Sequence, residues 1–177
     1  MIGRTSGGTA IAVSLKAPDP AAVTARSTLA RISPVCCPSV ILRYDHWDFT
    51  GEGATEESVT GVVRHYTDIV NPNKQKWCFE SELDAGNSEG GLLWVPVLVT
   101  DMVDSVSENW SNILGRSHPG LGPVRYSVLW RLGYDGSFSE QEAESMAMEV
   151  SVATHRRKGL LANPVSQEIR FLRRIGT

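Results

Sequence analysis

Between Val124 and Leu132 the chain alternates strictly, with Val124, Tyr126, Val128, Trp130 and Leu132 at even positions and Arg125, Ser127, Leu129 and Arg131 at odd ones. Successive strand side chains point to opposite faces, so this is a β-strand with one apolar face for a core and one face carrying two guanidinium groups. A sheet that is apolar on one side and polar on the other is the pattern of antiparallel sheets. After Tyr134-Asp135-Gly136 the period changes, and Ala143, Met146, Ala147, Val150 and Ala153 repeat at helical spacing. Ser139 with Glu142 three residues on forms a capping box, and Phe138 can staple against Ala143. Arg156, Arg157 and Lys158 suit the negative end of the helix dipole, and Gly159 suits the position just past the last turn.

Upstream, Thr9 to Leu15 and Val23 to Ile32 are short and rich in β-branched residues. The Ala17-Pro18-Asp19-Pro20 turn between them predicts an N-terminal hairpin within residues 1–33. Further strands are predicted over Val40 to Phe49, Val59 to Val70, Lys76 to Leu83 and Leu92 to Thr100, with Pro96 implying an edge or a bulge. Ala85 to Gly91 is a breaker cluster. Asp101 to Pro123 is a long polar connection with room for one short helix near Val103 to Leu114, and its Gly, Pro and Ser content predicts an exposed loop. Asn163-Pro164 reads as a second helix start, followed by Val165, Ile169 and Leu172 at helical spacing. The expectation is a single α+β domain over residues 1–177. It has an N-terminal β-hairpin, a five-stranded antiparallel sheet in residues 40–132 with the long loop 101–123, and two C-terminal helices in residues 139–175.

At 177 residues the chain is long enough for an ordinary core without a metal or disulfide staple. Hydrophobic residues at 41% and charged residues at 21% rule out wholesale disorder. No apolar run approaches the ~20 residues of a membrane span. The first residues lack the layout of a secretory signal and have no Gly at position 2, so neither export nor a lipid anchor is expected. Three cysteines, two of them adjacent, support neither a disulfide framework nor a zinc ribbon. The net charge of -3 is unevenly spread, being +3 over residues 1–47, -9 over 48–108 and +3 over 109–177. No basic arm is present, so any nucleic acid must be held by a folded surface.

Catalytic chemistry finds little purchase. His46, His65, His118 and His155 occur in no metal-ligand spacing, and no cofactor is implied. His46, between Asp45 and Trp47, reads as a structural group before a general base. Cys36 and Cys37 sit between prolines in an apolar stretch that disfavours a thiolate. Gly51-Glu52-Gly53 and Gly90-Gly91 read as turns, because neither opens a helix after a strand. Asn109-Trp110-Ser111 matches a glycosylation acceptor, which means little without export. The odd face of Val124 to Leu132 admits two readings, an ordinary solvated sheet face or a row of donors for phosphates and bases.

The stretch Val124-Arg125-Tyr126-Ser127-Val128-Leu129-Trp130, then Ser139-Glu140-Gln141-Glu142-Ala143, then Leu160-Leu161-Ala162-Asn163-Pro164 resembles the C-terminal third of single-stranded RNA bacteriophage (levivirus) coat proteins. The close match covers about 50 residues, and elsewhere only the expected element order agrees. The resemblance implies a non-enzymatic coat subunit. Such a subunit dimerises so that two sheets join and the helices of each partner grip the other. The dimers close into an icosahedral shell around the RNA genome, in the virion and in the host bacterial cytoplasm where it assembles. The family also binds a genomic RNA hairpin and represses replicase translation.

On this reading the partners are a second copy of the chain and single-stranded genomic RNA, with no membrane. Arg125, Ser127 and Arg131, with Lys76, Arg64 and Tyr66 from neighbouring strands, would form the RNA-facing surface. Met146, Val150, Val165, Ile169 and Leu172 would form the dimer interface, and the loop 101–123 would lie between subunits. The acidic middle third departs from the family, and Glu80 and Glu82 on the strand face of Lys76 would repel phosphate. Two alternatives stand beside this one. One is a jelly-roll capsid protein, which the two terminal helices disfavour. The other is a small ligand-binding or enzymatic α+β domain, which would need Asp45 and His46 to line one pocket.

Overall fold

The computed structural model describes residues 8–85, 91–153 and 159–172. Strands and helices interleave along the chain: β1 (Thr9–Leu15), α1 (Pro20–Ile32), β2 (Val40–Phe49), α2 (Glu56–His65), β3 (Gln75–Phe79), α3 (Glu80–Ala85), β4 (Leu92–Asp101), α4 (Ser105–Ser117), β5 (Val124–Asp135), α5 (Glu140–Ser151) and β6 (Gln167–Phe171). The strands form one open antiparallel sheet in the order β3-β1-β2-β5-β4-β6. The α+β class and the antiparallel sheet agree with expectation. The N-terminal hairpin and the pair of C-terminal helices do not. Among the described residues no helix is long and apolar enough to cross a membrane.

Register shows which face each strand residue takes. Ile41, Trp47 and Phe49 on β2 lie opposite Leu132, Tyr126 and Val124 on β5, and Val95, Val97 and Val99 on β4 lie opposite Leu132, Trp130 and Val128. All belong to one face, as the alternation in β5 predicts. Two core clusters lie end to end on it. In one, Ala22, Ala25 and Leu29 of α1 and Ala143, Ala147 and Val150 of α5 pack on Ile41, Val97, Trp130 and Tyr134. In the other, Val59, Val62 and Val63 of α2 and Trp110 and Leu114 of α4 pack on Ile11, Val13, Trp47 and Phe49. α3 instead meets the opposite face, through Glu80 and Leu83.

Two segments expected as strands are helices. In α1, Asp19 is the N-cap, its carboxylate accepting from the Ala21 N–H at 2.8 Å, and Pro20 occupies the first turn where its missing N–H is harmless. Only a helical period brings Ala22, Ala25 and Leu29 onto one buried face, leaving Val23 exposed. In α2, Thr55 and Ser58 form a capping box, and Val59, Val62 and Val63 share the buried side. The strand expected over Lys76 to Leu83 stops at Phe79, whose N–H donates to Glu82 at 2.7 Å as the chain turns into α3.

The connection 101–123 is not an exposed loop. Asp104 caps α4 by accepting from the Ser107 N–H at 2.9 Å, and Trp110, Leu114 and Leu121 are buried in the core. The turns at its far end and after β2 are laced together. Gly53 N–H donates to the Gly120 carbonyl at 2.9 Å, and a Cβ on Gly51 would lie 2.0 Å from that oxygen, so only glycine fits there.

The α5 helix starts as expected, with Ser139 and Glu142 in a capping box, but ends at Ser151. Gly159 is therefore well beyond its last turn; with φ +74° it sits where a Cβ would strike the Val152 carbonyl. Arg156, Arg157 and Lys158 lie outside the described residues. Asn163 does not start a helix. Its side chain accepts from the Val165 N–H at 3.0 Å in a tight turn, and the chain then enters β6 against β4. Pro96 lies where β4 turns from interior to edge strand. Its carbonyl accepts from Leu172 N–H, and the reciprocal bond that a proline cannot give falls at the last position of the β6 ladder.

Candidate functional site

The face of the sheet opposite the two core clusters carries the odd residues of β5, and α3 decides how much of it is open. His46 on β2 and Ser127 on β5 are register partners on this face. His46 Nε2 lies 2.7 Å from the Glu80 carboxylate of α3, while its Nδ1 is buried with no hydrogen-bond partner among the described residues. Ser127 Oγ is 2.8 Å from Thr100 Oγ1 on β4. Arg131 donates through Nη2 to the Leu83 carbonyl at 3.1 Å, and its guanidinium carbon stands 4.8 Å from the centre of the Trp94 ring. A buried guanidinium must be paired, and here a carbonyl at the end of α3 and an aromatic face do so.

The six residues expected to face RNA are therefore separated. Arg131 is 8% exposed and Ser127 2%, so neither offers its donors to a ligand. Arg125 and Lys76 are exposed on this face, but three inter-strand spacings and four register positions separate them, about 20 Å. Arg125 also sits opposite Asp48, which offsets its charge. Arg64 and Tyr66 belong to the helix side, because their segment is α2 and its C-cap and not a strand. The Tyr66 hydroxyl donates to Ser117 at 2.9 Å, and its ring packs edge-on against Trp110.

The expected dimer residues are likewise redistributed. Val150 is fully buried in the core of its own chain and Met146 is half-buried beside it, because α5 uses its apolar stripe to cover the sheet. Ile169 lies on β6, with its side chain against the same core, and Leu172 follows the strand, half-buried. Only Val165, in the turn before β6, is open, at 84% exposure.

Near Val165 lies a feature that periodicity did not signal. Met102, Val103 and Val106, at the entry to α4, are exposed, Val103 to 88%. The two segments touch, since Met102 N–H donates to the Ser166 carbonyl at 2.9 Å and Gln167 Nε2 to Asp101 at 2.8 Å. The one available hint was the pair of large apolar residues, Met102 and Val103, in an otherwise polar turn.

The residues weighed for catalysis do not converge. Asp45 and His46 occupy opposite faces, Asp45 accepting from the Tyr126 hydroxyl at 2.9 Å and from Arg43 at 3.1 Å. Burial, reinforced by the Asp45 carboxylate, pushes the Tyr126 hydroxyl well above the ordinary phenol range. Burial also raises the Cys37 thiol, and it raises Cys78 with help from Glu82, so both stay protonated where a nucleophile would need a thiolate. Among the described residues no group of three or more His, Cys, Asp or Glu side chains is placed to hold a metal ion. Comparisons of the chain with protein-family models, with curated proteins and with solved structures find no match.

Proposed function

We propose that the chain is a structural subunit whose main partner is itself: a coat protein that dimerises and closes into an icosahedral shell around single-stranded RNA. The observation that carries this reading is the exposure of four apolar side chains, Met102, Val103, Val106 and Val165, on two segments that hydrogen-bond to each other beside the sheet edge. Burying a single such side chain is worth about 1.5–3 kcal/mol, so several of them on the surface favour a covering partner. The strand and helix most like levivirus coat proteins are present as β5 and α5. Interlocked C-terminal helices are not part of the proposal, since that segment is β6.

RNA contact falls to Lys76 and Arg125 on the sheet face opposite the two core clusters, with Arg64 elsewhere on the surface. Each phosphate contact contributes a slope of about 0.7–0.9 in the logarithmic dependence of affinity on salt. So small a set makes packaging salt-sensitive and weak per subunit. The test is electron microscopy of the purified recombinant protein, with sequencing of any nucleic acid that co-purifies. Closed particles containing RNA are expected. A protein that stays unassembled and free of nucleic acid at low salt would refute the proposal.

A further inference from the structure

β6 closes one side of the sheet, and no described strand pairs with its outer edge. Two flanking bonds reveal its hydrogen-bonding direction, since the Ser166 carbonyl accepts from Met102 N–H and Leu172 N–H donates to the Pro96 carbonyl. Backbone groups of alternate residues point the same way, so residues 166, 168, 170 and 172 face β4. Gln167, Ile169 and Phe171 therefore aim their N–H and C=O groups away from the sheet. Glu168 and Arg170 are both exposed, and both project on the outer face.

A second copy of this strand, laid antiparallel about a two-fold axis at Ile169, sets Ile169 against Ile169, Gln167 against Phe171 and Glu168 against Arg170. The first two kinds of pair use the outward-pointing backbone groups. The Glu168 and Arg170 pairs fall at non-hydrogen-bonded positions, where facing side chains come closest. The segment Gln-Glu-Ile-Arg-Phe is thus charge-complementary to itself in this antiparallel register, whereas a parallel in-register pair would set Glu168 against Glu168. The other outer strand, β3, treated the same way pairs Lys76 with Cys78 and gains no opposite charge.

We propose that β6 is the self-association edge, two copies joining β6 to β6 at Ile169 so that their sheets become one. The inference rests on the self-associating reading above and names the surface it uses. It is continuous with those exposed apolar side chains, because Val165 and Met102 flank the start of β6, where the second copy's Phe171 would arrive.

Sedimentation of the wild type, Glu168→Arg, Arg170→Glu, the double variant, and a one-to-one mixture of the single variants tests this. In each single variant both symmetry-related pairs turn from attractive to repulsive, and the dimer should weaken on the order of ten-fold. The double variant and the mixture both restore opposite charges and should recover wild-type affinity. A monomeric wild type at high micromolar concentration would overturn the inference. So would single variants that dimerise unchanged, a mixture no tighter than its components, or open polymers growing with concentration. Charge-dependent dimers without particles would keep this edge and discard the shell. Particles that ignore the charge swaps would keep the shell and discard this edge.

Discussion

Replacing Leu114 by Ala separates a core helix from a surface loop in the segment 101–123. Leu114 is fully buried in a cluster with Val59, Val62, Trp110 and Leu121. A buried Leu→Ala change costs about 2.7–5.0 kcal/mol, increasing with the cavity that remains. The neighbouring Trp110 ring is held edge-on by Trp47 at 5.9 Å and by Tyr66 at 5.3 Å, so it is poorly placed to collapse into the gap. The cost should therefore fall in the upper part of the range, about 4 kcal/mol. For a chain of 177 residues each kcal/mol moves the melting midpoint by about 2–4 °C, so Tm should fall by roughly 8–16 °C. Thermal and urea melts followed by tryptophan fluorescence measure it. Arg116→Ala, at an exposed position of the same connection, is the control and should stay within about 0.5 kcal/mol of wild type. A Leu114→Ala protein that melts with the control would refute the placement of α4 in the core.

Asp19→Ala removes the cap of α1 and a 3.4 Å contact to Arg43, so it should cost about 1 kcal/mol and some helical circular dichroism signal. No change in either would return the segment to a strand. Arg131→Ala unties α3 from the sheet and should speed amide exchange across residues 80–85 while costing about 1–3 kcal/mol, and unchanged exchange there would count against the clamp. Burial, helped by Cys36 and Cys37, pushes the Tyr134 hydroxyl far above its ordinary range, whereas an unfolded chain ionises its tyrosines near pH ~10. Above that pH the unfolded state holds fewer protons than the folded one, so this stability is complete below pH ~10 and declines as pH rises. Tyr134→Phe should flatten the decline of the urea midpoint with pH, and an unchanged decline would remove Tyr134 as its source.

The longest periodic elements were legible because many residues vote for one period. β5 forms as a strand with its even residues toward the two core clusters, although Ser127, Leu129 and Arg131 on the other face are buried as well, and α5 starts at its capping box. α1 and α2 carried equally physical signals in Asp19-Pro20 and in Thr55 with Ser58, but their β-branched residues suggested strands. Such propensity is weak and yields to packing, which here wants Ala22, Ala25 and Leu29 on one side. β6 is harder, because Asn163-Pro164 suits a turn as well as a helix start. Five residues cannot separate a period of two from one of 3.6. What makes it a strand is the open side of β4, a partner about 70 residues away that no local window contains.

The candidate surface failed to read true for a similar non-local reason. Alternation correctly put Arg125, Ser127 and Arg131 on the face away from the core, but which face a residue takes does not say whether that face is open. α3 crosses it, and once it does, Arg131 gains more from the Leu83 carbonyl and the Trp94 ring than an unpaired guanidinium could keep. His46, placed on that face by the same alternation, is drawn to Glu80. The charges left for a partner are those at the margins, including Lys76 on one outer strand and Glu168 and Arg170 on the other. Margins of an open sheet also carry the unpaired backbone groups, and at β6 those groups and the charges recur in a pattern that a two-fold axis maps onto itself. The proposed pairing directs recognition to the sheet's edge, whereas a ligand that needs a broad cationic face would meet α3 first.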